Sequence, residues 1–111
     1  MIMKVYSMEP LQKFETDSQG LFIRIRWNEQ VVQIPNQRHD GFINQYSYDE
    51  AVIAQGDSRS AIIEMIIASQ YTTGRELATI NNKDVDPISY AEYQAFRQTA
   101  KDLADEYLAT Q

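Results

Sequence analysis

The hydrophobic pattern of this chain changes its period once, near Pro35. Before Pro35, apolar and polar residues alternate over residues 21–27, as they do in a strand with one face in a core and the other in solvent. After residue 57, apolar residues recur at spacings of three and four, which is typical of helices with one buried face. We therefore predict an α+β fold in which an N-terminal antiparallel β-meander of three or four strands packs against two C-terminal α-helices.

The length of 111 residues suits one domain. A chain of this size buries roughly 65% of its unfolded surface, which is enough for one cooperative core and too little for separate cofactor and substrate domains. We assign residues 1–35 to the meander and residues 36–56 to a loop followed by a short helix or strand. Residues 57–111 then form the two helices with a long connection between them.

A hairpin is predicted at the centre of the meander. A two-residue turn at Asn28 and Glu29 would pair Ile25 with Val32, so that the apolar residues of both strands share one face. The same register sends Arg26 and its alternating neighbours to the outer face. Glu is not the residue that a type I′ turn prefers at its second central position.

A second turn precedes this hairpin. Residues 17–20 read Asp-Ser-Gln-Gly, which combines an Asx start with a glycine end. This turn makes residues 11–16 the partner strand and places Phe14 opposite Ile23. Residues 2–8 form a further predicted strand, which pairs either within the chain or across a dimer.

Two assignments compete in the middle of the chain, after a polar loop. Ser47 and Glu50 have the spacing of a capping box, and Gly56 can supply a left-handed stop. These signals favour a short helix over residues 48–55. A strand over residues 45–54 is the alternative.

The first long helix is predicted over residues 59–73. Asp57 or Ser58 caps it and Gly74 closes it. Because it is apolar on nearly all sides, we expect it to lie centrally, between the sheet and another element.

The last helix is predicted over residues 87–109. Asp86 is a capping residue, and the proline after it suits the first helical position. Ser89 and Glu92 offer a second capping position. On the polar face, Lys101 and Asp105 are one turn apart and can pair. Residues 75–85 form a long connection between the helices, with a turn inside it.

Missing residue types exclude several chemistries. With no cysteine and one histidine, disulfide scaffolds, thiolate zinc sites, cysteine nucleophiles and iron–sulfur clusters are ruled out. The four glycines are too far apart to form a phosphate-binding or dinucleotide-binding loop, and no calcium-loop pattern occurs. We therefore expect no cofactor and no metal.

The absence of targeting segments and the net charge each argue against a class of function. The first ten residues contain no apolar run of signal-peptide length, so we expect no cleaved leader, and the longest apolar run is far shorter than the roughly 20 residues that span a bilayer. We expect no membrane association and a cytoplasmic location. The net charge of −6, with no basic cluster, makes nucleic-acid binding unlikely because phosphate affinity comes mainly from Lys and Arg.

Three groups of side chains are candidates for an interaction surface. The first combines aromatic and arginine residues on the outer sheet face, the second is aromatic and lies beside the polar loop, and the third is acidic and lies on the last helix. They are Phe22, Arg24 and Arg26; Phe42, Tyr46 and Tyr48; and Asp102, Asp105 and Glu106. Aromatic and Arg residues are enriched in protein interfaces, but a solvated face also accounts for each group.

The leading hypothesis is a small, non-enzymatic protein–protein interaction or assembly protein. Its partner is another protein or a second copy of the chain. An accessory or structural protein of a bacterium or a phage would suit these properties, located in the host cytoplasm or, for a phage protein, in the virion.

Two alternatives stay open. An acidic inhibitor or immunity-type protein would present its carboxylates to a basic site on an enzyme, or in place of nucleic-acid phosphates. A small hydrolase or isomerase would use His39 with Asp40 or Glu50. No residue is assigned a catalytic role, because catalysis at the histidine requires an oriented carboxylate and a cleft.

Overall fold

A computed structural model describes residues 4–111 of the chain. Four strands form one antiparallel sheet in the order β1-β4-β3-β2, and three helices follow them in sequence. The strands are β1 (Lys4–Ser7), β2 (Phe14–Thr16), β3 (Phe22–Pro35) and β4 (Phe42–Ala54), and the helices are α1 (Arg59–Ala68), α2 (Thr73–Asn81) and α3 (Pro87–Ala109). The predicted α+β fold is confirmed, and the described residues contain three helices instead of two.

The core lies between one face of the sheet and helices α1 and α3. The alternation that predicted a strand buries Ile23 and Ile25, and these residues lie opposite Ile53 and Ala51 of β4. The helices cover them with the buried residues Ile62, Ile66, Ile67, Ala100, Leu103, Ala104 and Tyr107. Full burial of each large aliphatic side chain contributes about 1.5–3 kcal/mol. This cluster is therefore a principal source of stability.

Helix α3 has the predicted bounds, and of the two predicted capping positions Asp86 is the one that caps it. The Asp86 carboxylate accepts a hydrogen bond from a backbone N–H of the first turn at 3.1 Å, and the proline follows at once. The predicted ion pair of Lys101 and Asp105 is wrong. Asp105 instead accepts two hydrogen bonds from Arg59 of α1, at 2.6 and 3.2 Å, because a guanidinium matches a carboxylate with two parallel bonds.

Helix α1 is shorter than predicted and is followed by a helix that the sequence analysis missed. Ser58 caps α1, as one of the two predicted alternatives, but α1 ends at Ala68. The extension to residue 73 is wrong because the hydroxyl of Thr72 caps a new helix, accepting a hydrogen bond from a backbone N–H at 3.2 Å. Helix α2 thus occupies much of the predicted connection over residues 75–85, and Gly74 lies inside it.

Strand β3 is much longer than predicted. It runs for 14 residues, so the predicted turn at Asn28 and Glu29 is wrong. The register with β4 instead skips from Trp27 to Gln30, which marks a β-bulge. Asn28 does adopt a positive φ of 56°, but a type I′ turn needs two such residues. One left-handed residue kinks the strand without reversing it.

The chain reverses later, over residues 36–41. The N–H of Asn36 donates to the carbonyl of Gly41 at 3.1 Å, and Gly41 supplies the positive φ of 97°. Residue 42 then begins β4, so the strand alternative is confirmed and the helix over residues 48–55 is wrong. Alternate residues of β4, Ala51 and Ile53, complete the apolar face that β3 begins, which a helix could not do.

Strands β1 and β2 lie on opposite edges of the sheet. Lys4 of β1 lies opposite Asp49 of β4, so β1 pairs within the chain. Residues 2 and 3 of the predicted strand lie outside the described residues. Between the two edge strands, residues 8–13 cross the outer face of the sheet, and we call them the crossover.

Strand β2 follows the predicted turn but in a different register. Phe14 lies opposite Ile25 instead of Ile23. The reason is a wider loop than expected: the N–H of Asp17 donates to the carbonyl of Phe22 at 3.0 Å, outside the predicted four-residue turn. The shift is two residues, so Phe14 stays on the core face.

Candidate interaction surface

The β3–β4 hairpin extends beyond the part of the sheet that packs on the helices. Trp27 of β3 still contacts α3, where its ring lies 6.1 Å from that of Phe96. Residues 30–45 continue past this point as a two-stranded ribbon and its turn, and we call them the arm. The molecule measures 53 × 37 × 21 Å. Its radius of gyration of 16.7 Å exceeds the value of about 13 Å expected for a compact domain of this length.

Both edges of the arm are open among the described residues. Strand β2 pairs with β3 only over residues 23–25, and β1 pairs with β4 only over residues 46–49. The edge of β3 is therefore free over residues 30–35, and that of β4 over residues 42–45. A free edge presents a row of backbone N–H and C=O groups to which another strand can pair.

Both faces of the arm carry apolar side chains. Directly opposed residues share a face, so the register divides these side chains into two sets. One face carries Val31, Pro35 and Phe42 and continues into Tyr46 just outside the arm, and the other carries Val32, Ile34 and Ile43. Val31, Val32 and Phe42 are 49%, 52% and 67% exposed. A ribbon adapted to water on one side would alternate apolar and polar residues, and this one does not.

Most of these arm residues were missed from the sequence. Only Phe42 and Tyr46 were candidates, because the misplaced turn assigned Val32 and Ile34 to the core face of a short hairpin. The signal that would have found the arm is the polar segment 36–41 with its terminal glycine. It is a better reversal than Asn28 and Glu29, and it is flanked on both sides by strand-forming residues.

Hydrogen bonds at the bulge link three strands at the point where the arm begins. The side-chain amide of Asn28 donates to Asp49 Oδ2 at 3.1 Å, and Lys4 Nζ donates to Asp49 Oδ1 at 2.9 Å. Asn tolerates the left-handed conformation that the bulge requires. The base of the arm is therefore held by specific contacts among β1, β3 and β4.

A buried ion pair lies beside the bulge on the outer face. Arg26 Nε donates to Glu50 Oε2 at 3.0 Å, and the two side chains are only 6% and 4% exposed. Arg26 Nη1 also donates to Glu15 Oε1 at 2.6 Å and to the backbone carbonyl of Gln12 at 3.0 Å. The crossover supplies that carbonyl, so the predicted exposure of Arg26 is wrong.

Tyr48 is buried beneath the same crossover. Its hydroxyl accepts a hydrogen bond from the N–H of Leu11 and donates one to Glu29, both at 2.9 Å. Burial raises the pKa of the Tyr48 phenol, and the nearby Glu29 carboxylate adds to the rise. Tyr48 therefore joins the crossover to the base of the arm, and it is not exposed as an anchor.

The remaining aromatic and arginine candidates lie at two distant places. Phe42 and Tyr46 share one face of the β3–β4 hairpin, with Tyr46 half-buried. Phe22 is 50% exposed and lies opposite Ala54, at the other end of the hairpin. Exposed Arg24 accompanies it and donates to Glu50 at 3.3 Å. The first and second predicted groups therefore do not form one surface.

The acidic candidates are partly engaged within the chain. Asp105 pairs with Arg59, and the hydrogen bond from the guanidinium lowers the pKa of the Asp105 carboxyl. Glu106 accepts a hydrogen bond from Lys13 at 2.7 Å, and Asp102 accepts one from a neighbouring glutamine. Cations already beside two of the three carboxylates weaken the idea that they replace phosphates against a basic site.

His39 lies in the exposed turn of the arm. Glu50, one of its two proposed partners, is held by arginines on the sheet. From residue 41 to residue 50 a strand rises about 30 Å, so this pair does not meet. Asp40 is exposed beside His39, and neither residue lines the groove among the helices or the pocket beside Trp27.

An open groove of about 660 Å³ lies between α1 and α3. Its polar walls include Glu76 and Arg97, which are both bonded to the hydroxyl of Tyr93, at 2.6 and 3.2 Å. These contacts engage two of the four charged side chains that line the groove, and the other two are Glu64 and Lys101. The groove is open to solvent, whereas sites for small molecules usually bury most of the ligand's surface.

The described residues show neither a metal-binding cluster nor a membrane-spanning helix. Within residues 4–111, no three carboxylate or imidazole side chains are grouped as they would be around a metal ion. No helix in this part of the chain is long and apolar enough to cross a membrane.

The arm is thus the most distinctive exposed feature of the described structure. No family model, curated protein or solved structure shows significant similarity to this chain.

Proposed function

We propose that this chain is a non-enzymatic protein–protein interaction or assembly protein that docks through its arm. The observation that carries the proposal is a two-stranded ribbon with apolar side chains on both faces and free edges on both sides. The proposal keeps the leading hypothesis from the sequence and moves its surface from the aromatic and acidic groups to residues 30–45.

The energetics of β-structure support a partner for the arm. An isolated two-stranded hairpin is at best marginally stable in water, because few of its side chains leave the solvent. The arm keeps Val31, Val32 and Phe42 about half exposed or more, although these residues would gain from burial. A partner that covers one face and one edge would satisfy both the apolar side chains and the backbone groups.

Contacts at the base of the arm hold the arm in a fixed orientation relative to the sheet. The buried pair of Arg26 and Glu50 and the bonds to Asp49 lie where the arm leaves the sheet. A rigid docking element loses less conformational entropy when it binds than a flexible one. This arrangement favours a role in docking over that of a loose surface loop.

Photo-cross-linking in the cells that express the protein tests the proposal. A benzoylphenylalanine in place of Phe42, which is 67% exposed, should give one or a few discrete adducts. The matched control is the same residue in place of Ile88, which is 72% exposed at the start of α3. Equal adducts from both positions, or none from the arm, would show that the arm is not a docking element.

A further inference from the structure

We infer that the occupant of the arm is the arm of a second copy of this chain. The free edges of two β3 strands would pair antiparallel about a two-fold axis and join two four-stranded sheets into one. This inference rests on the proposed docking role of the arm and names its partner.

The free edge of β3 has the composition of a strand that pairs. Residues 30–35 read Gln-Val-Val-Gln-Ile-Pro and contain no charge. Edge strands that must stay unpaired usually carry Lys or another charge, or an interrupting Pro or bulge, along the open side. Here the bulge precedes this segment and Pro35 ends it, so the residues between them are unprotected.

The distribution of charge favours a second copy over a charged partner. The chain carries a net charge of −6, but residues 30–45 hold only Arg38 and Asp40, which cancel. Two copies that meet elsewhere would bring together like charges, which oppose association. Two arms meet without that repulsion, and the arm offers no charge pattern that would select an acidic or basic protein.

The amount of exposed surface fits the inference. The accessible surface is 7484 Å². A compact monomer of 12.8 kDa would expose about 6,300 Å², so the excess is roughly 1,200 Å². A standard interface takes about 800 Å² from each partner. The excess area of the whole molecule, to which the protruding arm contributes, is therefore large enough for an interface of standard size.

Antiparallel pairing also satisfies the symmetry of a homodimer. In a two-fold interface both copies use the same patch of surface. If one residue of the first copy contacts another residue of the second copy, then the same two residues also meet with the copies exchanged. A strand that pairs antiparallel with its own copy meets this condition, and its opposed residues share a face. The apolar faces of the two arms would then be continuous.

Sedimentation of the full chain tests the inference. We expect the wild type to sediment at twice the monomer mass of 12.8 kDa at micromolar concentration. Val32→Lys should weaken the dimer by at least about 100-fold, because each copy brings a cation to the same edge. Gln33→Lys should act in the same direction, and because it replaces an exposed polar residue we expect it to leave the stability of the monomer nearly unchanged.

Leu77→Lys is the matched control. Leu77 is 56% exposed on α2 and Val32 is 52% exposed, so the two variants change charge and apolar exposure alike. Dimerisation unchanged in Leu77→Lys and lost in both arm variants supports the inference. A monomeric wild type at about 100 μM, or equal weakening by Leu77→Lys, overturns it. Arm cross-links to a different protein would also overturn it, but they would leave the proposed docking role intact.

Discussion

Strands β3 and β4 form two regions of different character along one continuous ladder. At the base, Ile25 lies opposite Ala51 and both are almost fully buried under the helices. In the arm, Val32 lies opposite Gln45, and Val32 is 52% exposed. The strands and their pairing are the same in both regions. The comparison shows that backbone pairing alone does not determine stability in a sheet, because the covering side chains supply most of it.

The largest expected effect is a core truncation at the base. Ile25→Ala should lower the free energy of unfolding by about 3–4 kcal/mol, because it leaves a cavity among buried side chains. Val32→Ala on the same strand should change it by less than about 0.5 kcal/mol. Urea denaturation at a concentration where the chain is monomeric measures both. Similar losses would mean that the arm is covered within the monomer.

The next effect comes from the ion pair at the base of the arm. Glu50→Gln should cost about 3 kcal/mol, because it leaves the Arg26 guanidinium buried with only partial compensation. Glu106→Gln removes an ion pair whose side chains are 45% and 51% exposed, and should cost under about 1 kcal/mol. The same urea titrations measure both losses in the free energy of unfolding. Equal losses would mean that the ion pair of Arg26 and Glu50 is exposed to solvent.

A smaller effect isolates the backbone of the bulge, where the two regions meet. Asn28→Ala and Asn28→Gly both remove the bond to Asp49, but only glycine adopts the positive φ of 56° without strain. The alanine variant should therefore be less stable by about 1 kcal/mol. Thermal unfolding of the two variants makes the comparison. Identical stability would show that the left-handed conformation is not retained.

The smallest effect concerns alkaline pH. Burial raises the pKa of the Tyr48, Tyr93 and Tyr107 phenols above the ordinary value of 10.0. The stability that their neutral forms contribute is fully present below pH 10 and is lost as the pH rises through the folded-state values. Tyr48→Phe should reduce this loss above pH 10. Tyr6→Phe, at an exposed position, should not, and an equal change in both would contradict the assignment.

Elements with a strong local end signal could be predicted from the sequence. Asp86 followed by proline fixed the start of α3, and the turn at residues 17–20 was correct. The hairpin at Asn28 was wrong because a positive φ at one asparagine serves a bulge as well as a turn. Local sequence cannot distinguish these two outcomes, since the difference depends on which strand lies alongside.

Most of the candidate site could not be predicted from short stretches of sequence. The burial of Arg26 and Tyr48 depends on the crossover, which passes over them only because β1 and β2 lie on opposite edges. That arrangement is a property of topology, and no residue near Arg26 encodes it. Helix α2 was missed because Gly74 was taken as a stop, whereas a glycine within a helix costs only about 1 kcal/mol relative to alanine.

The positions of β1 and β2 impose an order on biosynthesis. Both strands precede β3 and β4 in the chain, and β2 can pair with β3 as soon as β3 is made, yet Lys4 cannot pair until Asp49 has been made. Strand β1 is therefore the last of the four strands to find its partner. The helices that cover Ile23 and Ile25 follow β4 in the chain, so the apolar face of the sheet stays open until they are made. Long-range contacts of this kind close slowly, and the exposed apolar surface makes the unfinished chain prone to aggregation.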